Sequence, residues 1–199
     1  MREQDVFILA DTTLQKVVDQ ISDEQWAMVM PSTFAMQHRD HDVTLREIIN
    51  YHAYDDAWVP DMLAGRTMDE AGKDNFQGDL LGDDPKASFG AIVDKACASA
   101  RELDPERMVH CSFGDFPARE YFWQINGFRG LRAHDIAQVI GVDTTLPSDL
   151  VEALWAEIEP HAEEWRAIGV FRAKVDVPAG ASLQDRLLGL TGRQPDSAA

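Results

Sequence analysis

Two stretches of this chain place ionisable side chains where helical periodicity expects a core. In Asp115–Gly141, reading DFPAREYFWQINGFRGLRAHDIAQVIG, apolar residues recur at Tyr121, Ile125, Phe128, Leu131, Ile136 and Val139, the three-and-four spacing of one buried helix face. Wrapped at about 100° per residue, Arg132 and Asp135 fall within roughly 40° of the centre of that stripe, and His134 falls roughly 140° from it. In the stretch that begins at Thr44, the stripe is Leu45, Ile48, Ile49, Val59 and Leu63. His52 and Asp56 lie within roughly 20° of its centre, one turn apart. A charge on a core face must be paired or must line a cavity, because desolvating it alone is costly. Pairing is open between His52 and Asp56, between Arg132 and Asp135, and between Arg132 and Asp56. The alternative is a pocket between helices in which the planar fork of Arg132 grips a carboxylate of a small ligand.

Other candidate chemistry is thinner. His38 and His41 alternate with Asp40 and Asp42 in MPSTFAMQHRDHDV, which has metal-binding composition, but nothing positions these side chains and a solvated loop is the favoured reading. Cys97 and Cys111 lack metal-type spacing, which suits a reducing cytoplasm, and Cys97 among Ile92, Val93, Ala96 and Ala100 reads as a core thiol. No glycine-rich phosphate loop, nucleophile elbow or zinc-protease helix is present, and GLTGR at Gly189–Arg193 lacks both a lysine and a preceding strand. A net charge of −17 and 27% charged residues argue against nucleic acid or a basic membrane-surface helix as partner. No apolar run approaches the roughly 18 residues of a membrane span, and MREQDVFILAD lacks a signal-peptide layout. A cytoplasmic protein with a small-molecule ligand is the expectation.

The elements that must position these residues are helical. Residues 3–21 read as a first helix with Phe7, Ala10, Leu14, Val17, Val18 and Ile21 on one face. Ser22 with Gln25 and Thr44 with Glu47 are capping-box patterns, the second opening a helix that runs to about Ala64 with Pro60 inside it. The long acidic segment Arg66–Lys86 predicts a crossover between the second and third bundle helices. A third helix follows over Ala87–Glu102. Val109–Phe113 alternates, Pro117 fits the first turn of the fourth helix, and Ser148 caps a fifth over Asp149–Glu159. Phe171–Val177 reads as extended, and SLQDRLLGL as a final short helix before a fraying tail at 194–199. The expected architecture is an all-α, single-domain four-helix bundle over 1–199, with extra short C-terminal helices.

Several blocks resemble the DinB-like superfamily, in particular the branch near mycothiol-dependent maleylpyruvate isomerase. They are TLREIINYHAYDDAWVPDMLAG, NFQGDLLGDDPKASF, VHCSFGDFPAREYF, RAHDIAQVIGVDTTLPSDLVEAL and VPAGASLQDRLLGLTGRQP. They cover most of the chain beyond Val43 in the family's order, and the ending DRLLGLTGRQP is quite specific to that branch. The resemblance implies a four-helix bundle, a cytoplasmic bacterial protein, often a homodimer, and a divalent metal (zinc, nickel or manganese) that activates a low-molecular-weight thiol for isomerase or transferase chemistry. Such families place a His near the middle of the second helix, and a Glu or His followed four residues later by a His on the fourth. Counted without gaps, these positions fall on Tyr51, Phe128 and Arg132, none of them an ordinary metal ligand. His52 is one residue from the first position and faces inward, but His134 does not by its phase, so a shifted site using both needs a local distortion. The leading expectation is therefore a divergent member with a lost metal site. Its interhelical cavity would bind a small anionic molecule against Arg132, with Tyr51, His52, Asp56, Phe128 and Asp135 as lining or support; whether Tyr51 or His52 faces that cavity depends on helix phase. Two alternatives stay open: a thiol-dependent isomerase or transferase with a metal centre rearranged onto His52 and His134, and a dimeric, non-catalytic interaction protein whose polar core is structural.

Overall fold

Helix starts in this chain are written locally. Thr44 Oγ1 accepts from the Glu47 amide while the Glu47 carboxylate accepts from the Thr44 amide at 2.8 Å, a reciprocal cap that satisfies two donors a helix start leaves orphaned. Thr67 with Glu70 repeats the device, and Asp84 and Ser182 each accept one amide. The computed structural model describes residues 1–31, 41–101, 103–112 and 114–195. Its helices are α1 (Glu3–Val18), α2 (Leu45–Leu63), α3 (Met68–Ala71), α4 (Pro85–Ala100), α5 (Ala118–Ile140), α6 (Ser148–Ile158), α7 (Ala162–Ala167) and α8 (Leu183–Leu190). Short 3-10 turns cover Gln25–Ala27 and Glu159–His161, and the strands β1 (Met108–Cys111) and β2 (Gly114–Pro117) pair antiparallel with Met108 opposite Pro117.

The fold is thus mostly helical, with one hairpin: its first strand lies where the sequence alternates from Val109, and its second takes in Gly114 and Asp115, which read as a turn. Smaller differences have local causes. The first helix stops at Val18 rather than 21, because Gln20 and Ile21 amides turn back to Val17 and Val18 carbonyls. Ser148 is the first residue of α6 and not its cap; Pro147 holds the cap position, without a side-chain bond. Pro117 likewise precedes α5 instead of entering its first turn. Phe171–Val177 forms no strand; its Val175 amide donates to the Gly189 carbonyl at 2.9 Å. His38, Asp40 and the last four residues lie outside the described residues.

Long-range hydrogen bonds orient the four long helices. Asn126 donates to the Glu3 carbonyl and Gln25 to the Ile140 carbonyl, both at 3.0 Å, so α1 and α5 run parallel. Lys86 reaches the Asp19 carbonyl and Gln4 the Leu103 carbonyl, which sets α4 antiparallel to α1. Arg46 donates to the Gly82 carbonyl at 2.7 Å, bringing the starts of α2 and α4 to the same end. Two parallel neighbours need a return connection, and residues 64–84 supply it along α2. Phe76 packs on Trp58, Gly78 and Leu80 bond Asn50, and Asp79 pairs with Arg46.

Around the ring, α1 packs along α5 and α4, and α4 along α2, whereas α2 and α5 make the loosest of the four sides. Apolar burial falls into two clusters, one holding Leu14, Ile48, Phe89, Val93, Leu131 and Ile136, the other Phe7, Trp58, Val59, Ala96 and Phe122. A fully buried side chain of this kind contributes about 1.5–3 kcal/mol. On its other flank α5 meets α6: a Cβ on Gly127 or Gly130 would lie 3.1 Å from Ile158 or 2.6 Å from Leu154, so the two glycines permit the approach. None of the described helices is long and apolar enough to cross a membrane.

Candidate functional site

The buried cation of α5 is Arg129. Its Nε and Nη2 donate to Asp56 Oδ1 at 2.9 and 2.6 Å, and its Nε lies 2.9 Å from Asp11 Oδ1. The guanidinium also sits 5.2 Å from the centroid of Phe7. The Asp11 contact has the distance of an ion pair without the angle of a hydrogen bond, and neither Asp11 oxygen has a hydrogen-bond donor among the described residues. All three residues are buried, and they come from α1, α2 and α5, between the stretches that feed the two apolar clusters. Two carboxylates here share one cation. Burial pushes both up, and the charge on Asp56 pushes Asp11 further, while Arg129 pulls each down. Asp11 is held well above the ordinary carboxylate range, so the two carboxylates, sharing one cation, do not ionise as independent groups.

On the loose α2–α5 side, above Arg129, opens a cavity of about 420 Å³. Helix α2 lines it with Tyr51, Tyr54, Asp55, Trp58 and Met62, a face at helical spacing beside the fully buried one. Helix α5 adds Tyr121, Gln124, Ile125, Phe128 and the edge of Arg129; Met68 and Ser112 close the end. Its rings meet at steep angles: Tyr51 against Phe128 at 6.3 Å and 90°, Tyr54 against Trp58 at 6.2 Å and 77°. Asp55 is half-buried in this wall and makes no hydrogen bond or ion pair among the described residues. Burial raises it to about 6, with Arg129 opposing and Asp56 adding to the shift. Burial, then Asp55, also raises the Tyr51 phenol.

The residues singled out from the sequence take other places. Tyr51 and Phe128 line the cavity. His52 points into the bundle and is fully buried; its ring stacks on Phe128 at 4.8 Å, and neither ring nitrogen has a hydrogen-bond partner among the described residues. Burial, reinforced by Arg132 and Arg129, lowers it well below the ordinary imidazole range, so it is neutral. The expected His52–Asp56 and Arg132–Asp56 pairs are replaced by Arg129–Asp56, since Arg129 stands nearly one turn before Arg132 and on the side facing α1 and α2. Arg132 lies over Phe128 at 5.1 Å, with Asp135 4.0 Å away, outside the cavity wall. Asp135 is gripped by Arg193 through two bonds of 2.8 and 2.9 Å. Burial pushes Asp135 up, but Arg193, with help from His134 and Arg132, outweighs it and holds the carboxyl far down. His134, expected on the outer face, is buried, its Nδ1 3.8 Å from Asp135 Oδ1. Cys97 is the buried thiol expected, and His41 pairs with Glu47 at 2.8 Å.

GLTGR serves as a clasp. Gly192 is left-handed at φ 78°, and a Cβ on Gly189 would stand 2.6 Å from the Val175 carbonyl, so both glycines let the tail turn tightly and present Arg193 to Asp135. A larger concavity of about 720 Å³ lies between α5 and this tail, walled by Trp123, Trp165, Phe171 and Ile168. It is mainly apolar, and Arg193, the one arginine or lysine among the described residues that line it, is spent on Asp135. The α2–α5 cavity, with its buried charges, is the better candidate site.

No family model, curated protein or solved structure matches this chain. The site therefore rests on its own chemistry. Tyr51, Phe128 and Arg132 offer a phenol, a hydrocarbon ring and a guanidinium, a donor set that does not fit a divalent metal. Among the described residues, no group of three or more His, Cys, Asp or Glu could hold one. Sequence reasoning missed Asp11, Asp55 and Arg129. Asp11 had a signal: it stands four residues after Phe7 and three before Leu14, inside the apolar face of the first helix.

Proposed function

We propose that this chain is a divergent DinB-like protein that binds a small molecule in the α2–α5 cavity. The single observation that carries the reading is an aromatic-walled cavity of about 420 Å³ on the one loosely packed side of the four long helices, floored by a buried charge cluster. Ligand sites in helical bundles are built between facing helices in this way. The three positions that the resemblance assigns to a metal cluster at the cavity rim, where Phe128 contacts both Tyr51 and Arg132. That grouping supports a shared architecture in which ring packing has replaced a metal.

The test is a mixed-charge fragment screen by saturation-transfer NMR, repeated on Ile125→Trp, which adds bulk to the cavity from α5 and retains the Arg129 side chain. Binders that compete at one site and are lost in the variant support the reading. An empty screen, or binding unchanged in the variant, overturns it.

One observation favours a second reading, a metal-dependent thiol enzyme: both ring nitrogens of His52 are buried without a partner. Calorimetric titration with zinc, nickel and manganese tests it, since stoichiometric binding abolished by His52→Ala would move the metal reading ahead.

A further inference from the structure

We infer that the ligand of the α2–α5 cavity is an organic cation, an amine or quaternary ammonium, held by the aromatic walls and the carboxylate of Asp55. The inference rests on the cavity being the binding site and deepens that reading by giving the ligand's charge.

Three observations carry it. First, Tyr51, Tyr54, Trp58, Tyr121 and Phe128 all border the space, with Tyr51 set steeply against Phe128 and Tyr54 against Trp58. Ring faces attract cations through their quadrupole, and several rings around one volume are the arrangement that recognises alkylammonium groups. Second, Asp55 is set in the same wall with no donor of its own. A partly desolvated carboxylate without a partner is costly, and a cationic ligand would remove that cost. Third, of the two charged side chains that line the cavity among the described residues, Asp55 is without a partner while Arg129 is engaged by Asp56 and Asp11. An anion entering the cavity would meet a guanidinium whose Nε and Nη2 already face carboxylates. The chain's net charge of −17 adds a long-range field that draws cations toward the opening.

The discriminating probes are 2-phenylethylammonium, 2-phenylethanol and phenylacetate, which share a ring and differ in charge, titrated by calorimetry and tryptophan fluorescence at pH 7.5. The expected result is that the ammonium binds at least about tenfold more tightly than the alcohol, with phenylacetate weakest. Asp55→Asn should erase the preference for the ammonium over the alcohol. Asp69→Asn removes the same formal charge from the exposed surface of α3 and should leave the preference intact. Tyr54→Leu, which removes a ring and no charge, should weaken the ammonium more than the alcohol; it serves as the second variant if Asp55→Asn melts early.

Equal binding of all three probes overturns the cation inference and leaves the cavity reading standing. Tightest binding by phenylacetate overturns it in favour of an anion site at Arg129. Preference for the ammonium that survives Asp55→Asn and Tyr54→Leu overturns it as surface attraction. If none of the three binds, the cation inference falls, and the cavity reading falls with it only when the mixed fragment screen is also empty.

Discussion

Replacing Arg129 by Met tests whether the buried cluster is held by its one cation. The methionine occupies most of the arginine's volume and keeps the contact with Phe7, so the change isolates charge and hydrogen bonding. It removes both donors from Asp56 Oδ1 and the only cation near Asp11 among the described residues. Breaking a buried pair from one side costs about 3–5 kcal/mol, because the remaining carboxylate is left unpaired. For a chain of 199 residues, each kcal/mol moves the melting temperature by about 2–4 °C, so a fall of about 6–20 °C is expected. The loss should depend on pH. Asp11 is already raised in the fold, a state stabilising below its unfolded pKa and less so as pH rises. Without Arg129, Asp56 is raised further as well, so the gap between wild type and variant should widen from pH 4.5 to pH 8. Urea and thermal melts across that range measure it. Adding Asp11→Asn and Asp56→Asn should recover most of the loss, since neutral side chains impose no charge desolvation. A loss below about 1 kcal/mol, or one that is the same at both pH limits, would refute the assignment of Arg129 as the compensating charge.

Three further perturbations follow from the site and its frame. Asp55→Asn should stabilise the unliganded protein by about 1 kcal/mol at pH 7.5; because the raised carboxyl of about 6 loses its advantage as pH rises from about 4 through 6, the gain should shrink toward pH 4, and melts showing a gain at pH 4 instead would contradict the sign. His52→Leu should leave stability within about 1 kcal/mol at pH 7.5. It should also exceed wild type below pH 6, because a buried neutral imidazole contributes stability above its unfolded pKa that is lost as pH falls; equal acid slopes in the two proteins would count against a depressed His52. Gly130→Ala should cost about 1–3 kcal/mol in chemical denaturation despite alanine's better helix propensity, because its Cβ would stand 2.6 Å from Leu154; a stabilised variant would mean that α6 yields readily.

Much of the frame was legible because it is local. Capping at Thr44, the Cys97 core position and the acidic return segment all follow from residues within a few positions of one another. The phase of α5 was not legible, and the reason is physical. A helical wheel finds a single stripe when a helix has one partner, but α5 packs against α1 on one side and α6 on another. Its buried residues, Ala118, Tyr121, Phe122, Asn126, Gly127, Arg129, Gly130, Leu131, Ala133, His134, Ile136, Ala137 and Ile140, wrap most of the way round, so the apolar moment is small and points poorly. Hence Arg132 was placed inward and His134 outward, whereas Arg129 and His134 are the buried pair of residues. The small residues Gly127, Gly130, Ala133 and Ala137 were the available sign of that second packing face.

What the sequence alone determined, then, is that the long segments are helical, and that ionisable groups on the second and fourth long helices had to be paired or line a cavity. What only tertiary structure decided is the pairing. Asp56 and Arg129 are 73 positions apart, and Asp11 joins them from a third helix, so no local pattern could match donors to acceptors. The same holds for the cavity, since its walls exist only because α2 and α5 are held apart while the other three sides of the ring close. Local spacing fixes which face a side chain occupies; the charge it meets across the bundle is fixed by how the helices are threaded.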